Sequence, residues 1–135
     1  MTAPFIFVGT HRVKPGKREE FMKYFTEFCT SVVEPNEPRL HSFFGYTAPN
    51  SDLVTVVQVH PDADSMAYHM WLIMQHINEA YADYLQPEST MQIYGTIPDE
   101  LARTIAGASQ GTTDAVTICE PFAGFSRLPS AEPRR

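Results

Sequence analysis

Apolar residues recur at three- and four-residue steps along Met66, Met70, Ile73, Ile77, Tyr81 and Tyr84. That period predicts one long helix over residues 61–85. Pro61 breaks whatever precedes it, and Asp62 or Asp64 is placed to cap the helix start. Ala67, Trp71 and Met74 lie further round the wheel, and His69 and His76 stack near the other edge of the stripe. A helix this apolar needs two contacts. One is its own sheet; the other is a partner subunit or a ligand.

The remaining pattern supplies the sheet. Phe5–Val13 reads as a strand, with Phe5, Ile6, Phe7 and Val8 apolar on both parities, so both of its faces should be covered. Lys14-Pro15-Gly16 is a turn. A helix is predicted over 17–33, with Phe21, Tyr24, Phe25, Phe28 and Val32 as its stripe and Pro35 and Pro38 as its end. Residues 40–47 and Leu53–His60 form an antiparallel hairpin across the polar loop 48–52. After the long helix there are two strand candidates: 91–95, which is short, and 115–120, which alternates better. Residues 98–106 between them read as a helix with Pro98 at its start, and 107–113 as a loop. Residues 121–128 are the last ordered stretch, and 129–135 form a flexible tail.

Strand, helix, strand, strand, helix and a final strand make a split βαβ unit. The fold class is therefore α+β: a ferredoxin-like antiparallel sheet with its helices on one face. It is a single domain over 1–128, with a strand-helix insertion at about 91–113. The opposite sheet face is also apolar, and a twin subunit packed against it is the simplest closed solution. A homodimer is expected.

Composition narrows the partners. The 135 residues carry 43% hydrophobic and 19% charged side chains and a net charge of −6. The acids are scattered, and the basic residues that cluster, Arg134 and Arg135, are too few for a phosphate-binding surface, so no nucleic-acid partner is expected. Cys29 and Cys119 fall in unlike contexts and suit two free thiols in a reducing compartment. The N-terminus lacks the pattern of a signal peptide, and no apolar run is long enough to span a membrane, so a cytoplasmic protein without membrane contact is expected.

The strand FVGTHRV, the turn Lys14-Pro15-Gly16-Lys17, the following Glu19-Glu20-Phe21, the spacing to Leu53–His60 and the helix start from Asp64 to His69 resemble the antibiotic-biosynthesis monooxygenases of the dimeric α/β-barrel superfamily. The resemblance covers roughly the first two thirds of the chain. It implies two ferredoxin-like sheets pairing into a barrel. Members include cofactor-free quinone-forming oxygenases, haem-degrading oxygenases and proteins of no known activity, so it implies fold more strongly than function. Relatives usually carry a His at the second helix start, where His69 falls. The haem-degrading relatives use an Asn on the first strand and a Trp and a His ten residues apart on the second helix. Trp71 matches the Trp; Tyr81 stands in place of the His, and the first strand offers Gly9 and His11 but no Asn.

The candidate chemistry follows. A cofactor-independent oxygenase needs an apolar cavity, a proton acceptor and room for oxygen. Trp71 and Tyr81 are ten residues apart, about 80° in projection, so both could border one cavity. Tyr68, His69, Met70 and Met74 would line it as ligand contacts. His11 and His60, on strands, titrate near neutrality and are the general-base candidates. Each assignment has a plain structural counterpart: an aromatic stripe is also core, and a strand-end His also bonds backbone. His69 and His76 are two turns, on the order of 10 Å, apart, too far to share a metal. No metal and no cofactor are expected. The function implied is a cofactor-independent monooxygenase-like protein holding a small aromatic or polyketide-like molecule between the second helix and the sheet. The alternative is a non-catalytic ligand-binding or stress-response dimer of the same fold.

Overall fold

In chain order the elements are β1 (Phe5–Val13), α1 (Arg18–Phe28), α2 (Glu34–Asn36), β2 (Ser42–Tyr46), β3 (Leu53–His60), α3 (Ala63–Asp83), β4 (Leu85–Tyr94), α4 (Asp99–Ala108) and β5 (Val116–Cys119). They come from a computed structural model that describes residues 3–108 and 116–129. The strands form one sheet in the order β2-β3-β1-β4-β5. The first four pair antiparallel, and β5 runs parallel to β4. This is the ferredoxin-like arrangement with one strand added at an edge by the α4 crossover.

Alternation decides which face each strand buries. Phe5, Phe7, Met91 and Ile93 point to the helix side and are buried with Met66 and Met70 of α3 and Leu101 and Ile105 of α4. A second cluster joins Val13, Phe21, Val54, Tyr81 and Leu85. Register puts Ile6 opposite Val59 and Tyr94, and Phe44 opposite Val57, so these share the other face, which no helix of the described residues covers. Phe44, Tyr46, Leu53 and Tyr94 are exposed there.

Three expectations change. The predicted 17–33 helix is α1 followed by a π-helical turn over Cys29–Val33 and then α2, so the helical path runs past Pro35. Pro35 has no N–H for the carbonyl four residues back and its ring crowds that carbonyl, which suits a widened turn just before it. The predicted 40–47 strand is the shorter Ser42–Tyr46.

The fourth strand is also longer than 91–95. It starts at Leu85, directly after α3, so the added piece is α4 with β5 rather than a strand-helix placed before the last strand. Leu85 pairs with Val13 and Ser89 with His11, so three residues of β4 face one of β1 in a bulge. Pro87 lies in that bulge, where its missing N–H costs no ladder bond. The 115–120 candidate is edge strand β5; Ala115 and most of the 107–113 loop lie outside the described residues, while Gly107 is the penultimate residue of α4. Of the 129–135 tail, only Pro129 is described.

The second contact of α3 is also resolved within the chain: it is α4, through Met66 and Met70. The outer side of α3 is solvent-facing, with Tyr68, Trp71 and Met74 exposed.

Candidate functional site: a cavity with a buried Glu–His pair

Between α1, α3 and the helix-side face of the sheet lies a cavity of about 120 Å³. Its walls are overwhelmingly apolar: Phe7, Phe21, Phe25, Phe43, Ile73 and Met91 are among them. Aromatic spacing on α1 builds one wall, since Phe21, Tyr24, Phe25 and Phe28 share a helical face. Phe25 stacks on Phe43 at 5.4 Å. That approach needs Gly45 on β2, because a Cβ there would meet Phe25 Cε1 at 2.9 Å. The polar residues that border this space are few: His11, Tyr24, Gln58, His69, His76 and Tyr81.

His69 is held by a buried acidic partner. Its Nδ1 lies 2.6 Å from Glu37 Oε2, and both side chains are buried. A carboxylate only accepts, so the His69 Nδ1–H donates, and in the neutral ring Nε2 holds the lone pair. Nε2 is buried with no hydrogen-bond partner. His69 borders the cavity and Glu37 does not. Phe43 at 5.4 Å and His60 at 5.8 Å hold the ring in place. Glu37 itself follows the π turn and α2, with its N–H bonded to the Val33 carbonyl. A buried carboxylate fixing the imidazole whose other nitrogen is unoccupied is a general acid–base arrangement.

His60 has a different role from the one its sequence context suggests. It is fully buried and does not border the cavity. Its Nδ1 is 2.8 Å from Ser65 Oγ and its Nε2 2.9 Å from Gln58 Oε1, so neither nitrogen is free. Burial pushes its pKa down to about 3, with His69, His41 and Arg39 acting the same way and Asp62 opposing. It is a neutral prop behind His69, not a base.

His11 does border the cavity, together with Tyr81. The Tyr81 hydroxyl donates to Ser89 Oγ at 3.2 Å, with His11 Nδ1 3.4 Å away. Burial lowers the His11 pKa to about 4, which makes it a weak proton acceptor at neutral pH. Burial raises that of Tyr81, so the phenol stays a donor. Met70 borders the cavity as expected, whereas Trp71, Tyr68 and Met74 do not. Trp71 is 69% exposed and stacks near Tyr68 at 5.8 Å on the outside of α3. Its position on the wheel, about 80° from Tyr81, carries it past the edge of the wall. No group of three or more metal-ligating side chains is present among the described residues. Nor is any described helix long and apolar enough to cross a membrane.

Fold and site together define a ferredoxin-like α+β protein with a buried Glu–His pair beside an apolar cavity. No family profile and no curated protein sequence matches the chain. Solved structures do match. MupZ from Pseudomonas fluorescens is similar over 93% of this chain and 95% of its own, with 17% identity and a TM-score of 0.68. A conserved protein from Methanosarcina mazei is similar over 69% of this chain and 92% of its own, with 21% identity and a TM-score of 0.59. A Chloroflexus aurantiacus structure described as a "putative Antibiotic biosynthesis monooxygenase" is similar over 71% and 93%, with 19% identity and a TM-score of 0.51. The chain thus shares the ferredoxin-like α+β fold of these structures, putative antibiotic-biosynthesis monooxygenases among them.

Proposed function

We propose that the protein is a small-molecule enzyme in which His69, oriented by Glu37, is the general base acting on an aromatic or polyketide-like ligand held in the cavity. The observation that carries this reading is the buried, unpartnered Nε2 of His69 beside an apolar space. Removing a proton from a phenol or an enolisable carbon leaves an electron-rich anion. In the monooxygenase reading that anion meets dioxygen: a ring CH₂ becomes a carbonyl, one oxygen atom is kept and the other leaves as water. Tyr81, at the far end, turns its hydroxyl hydrogen from Ser89 Oγ to a ligand oxygen when a ligand binds. The active form is a homodimer closed over the exposed sheet face that carries Phe44, Tyr46, Leu53 and Tyr94.

The test is an assay of phenols and enolisable ketones in deuterated buffer, following both oxygen uptake and deuterium incorporation into carbon. Base catalysis predicts one or both signals. His69→Gln should lower them by roughly 10²–10⁴-fold, the usual contribution of a positioned base. Glu37→Gln should lower them similarly, because an amide can donate to Nδ1 and turn the imidazole to the wrong tautomer. Binding without either signal would leave the non-catalytic ligand-binding dimer as the function.

A further inference from the structure

Polar groups border the cavity at both its ends, with Tyr24 and His76 also on its wall, and the distance between the ends selects a ligand shape. His69 and Tyr81 are twelve residues apart on α3, a rise of about 18 Å along the helix. Side chains on a helix lean the same way, so the spacing persists at their tips. The sheet gives a second ruler. The Glu–His end lies over Gln58 and Phe43, and Gln58 pairs with Phe7; the other end lies over His11. From Phe7 to His11 is four residues of strand, about 13 Å.

The cavity volume of about 120 Å³ is the space open to the centre of a water molecule. Spread over about 13–18 Å, it has a mean cross-section of roughly 7–9 Å². That is a slot about one hydrocarbon chain wide. Its middle is walled by Ile73, His76, Ile77 and Ala80 of α3 and by rings of α1.

We propose that the site takes an extended, chain-like ligand with an oxygen function at each end, one at His69 and the other at the Tyr81–His11 pair. A compact planar ring would fill one end and leave the other polar group unmet. This inference rests on the His69 reading above and names its substrate class: an acyclic, oxygenated chain of the kind an acyl-chain-building reaction supplies.

The experiment compares ten-carbon probes by calorimetry on the intact protein: decanediol with a hydroxyl at each end, decanol with one, and naphthol as the planar ring. Naphthol is more apolar than the diol, so partitioning alone would favour it. We expect the diol to bind at least tenfold more tightly than naphthol. Tyr81→Phe should cost the diol several-fold, and Ile77→Phe, which narrows the middle of the slot, should weaken it more than tenfold while sparing naphthol. Naphthol binding as tightly as the diol, with dependence on His69, would overturn the chain-like ligand and leave the general base standing. A diol indifferent to Ile77→Phe would overturn it as well. If none of the probes binds, both the ligand class and the cavity's function are refuted.

Discussion

Glu37 and His69 are costly residues to keep, since each buries a polar group that water would otherwise solvate. Removing the carboxylate leaves the neutral ring's Nδ1–H unpaired, which costs about 1–3 kcal/mol. Glu37→Ala should therefore lower the urea-derived stability by that order, whereas Glu37→Gln keeps a hydrogen-bonding group and should lose far less. Equal loss in both would mean the pair is held for stability alone. Acid provides a second check. The folded-state pKa values of His11 and His60, about 4 and about 3, lie below the ordinary value of 6.5. On acidification the unfolded chain takes up these protons first, so stability should fall as pH drops from about 6.5 towards 3. A urea midpoint that stays level between pH 7 and 4.5 would contradict those burials. His69 is visible in the sequence as a polar position at the edge of an apolar stripe. Its partner is not: Glu37 is 32 residues away, between two prolines, and nothing local marks it as buried. Trp71 misled for the converse reason, because a large ring at the stripe's margin reads the same whether it turns in or out.

Among the elements, β1, β3 and the long helix were legible because their periods are clean. β4 was half hidden, since Gln86-Pro87-Glu88 looks like a loop and only a bulge makes it strand. The π turn left no periodic trace at all; it shows only as helix continuing through Pro35. Packing of α3 between the sheet and α4 makes two substitutions informative. Ile105 is 1% exposed in the shared core, so Ile105→Ala should cost about 2–5 kcal/mol in chemical denaturation. Trp71→Ala, on the outer side of α3, should shift stability by no more than about 0.5 kcal/mol. The reverse order would place Trp71 in the core and α4 at the surface. Gly45→Ala should cost about 1–3 kcal/mol and disturb ligand binding together with stability, since Phe25 must yield and it walls the cavity.

For the whole molecule, the α+β class and the helix-on-one-face sheet follow from element order, and the apolar second face follows from parity. What covers that face follows from neither. The homodimer predicts about twice the 15.2 kDa chain mass by light scattering at micromolar concentration. Phe44→Asp or Tyr94→Asp should shift it to monomer without loss of helix content. A monomeric wild type would remove the second copy from the account. Sequence alone assigns the base to His11 or His60, because it shows which His sit on strands and not which nitrogens are already bonded. The most direct test of the central claim is the ring of His69 itself, observed by nitrogen-detected NMR with and without a hydroxyl ligand such as decanediol. The account predicts a proton on Nδ1 facing Glu37 and a free lone pair on Nε2 whose resonance moves when the ligand hydroxyl binds. A proton on Nε2 instead, or an Nε2 signal that no cavity ligand moves, would contradict it.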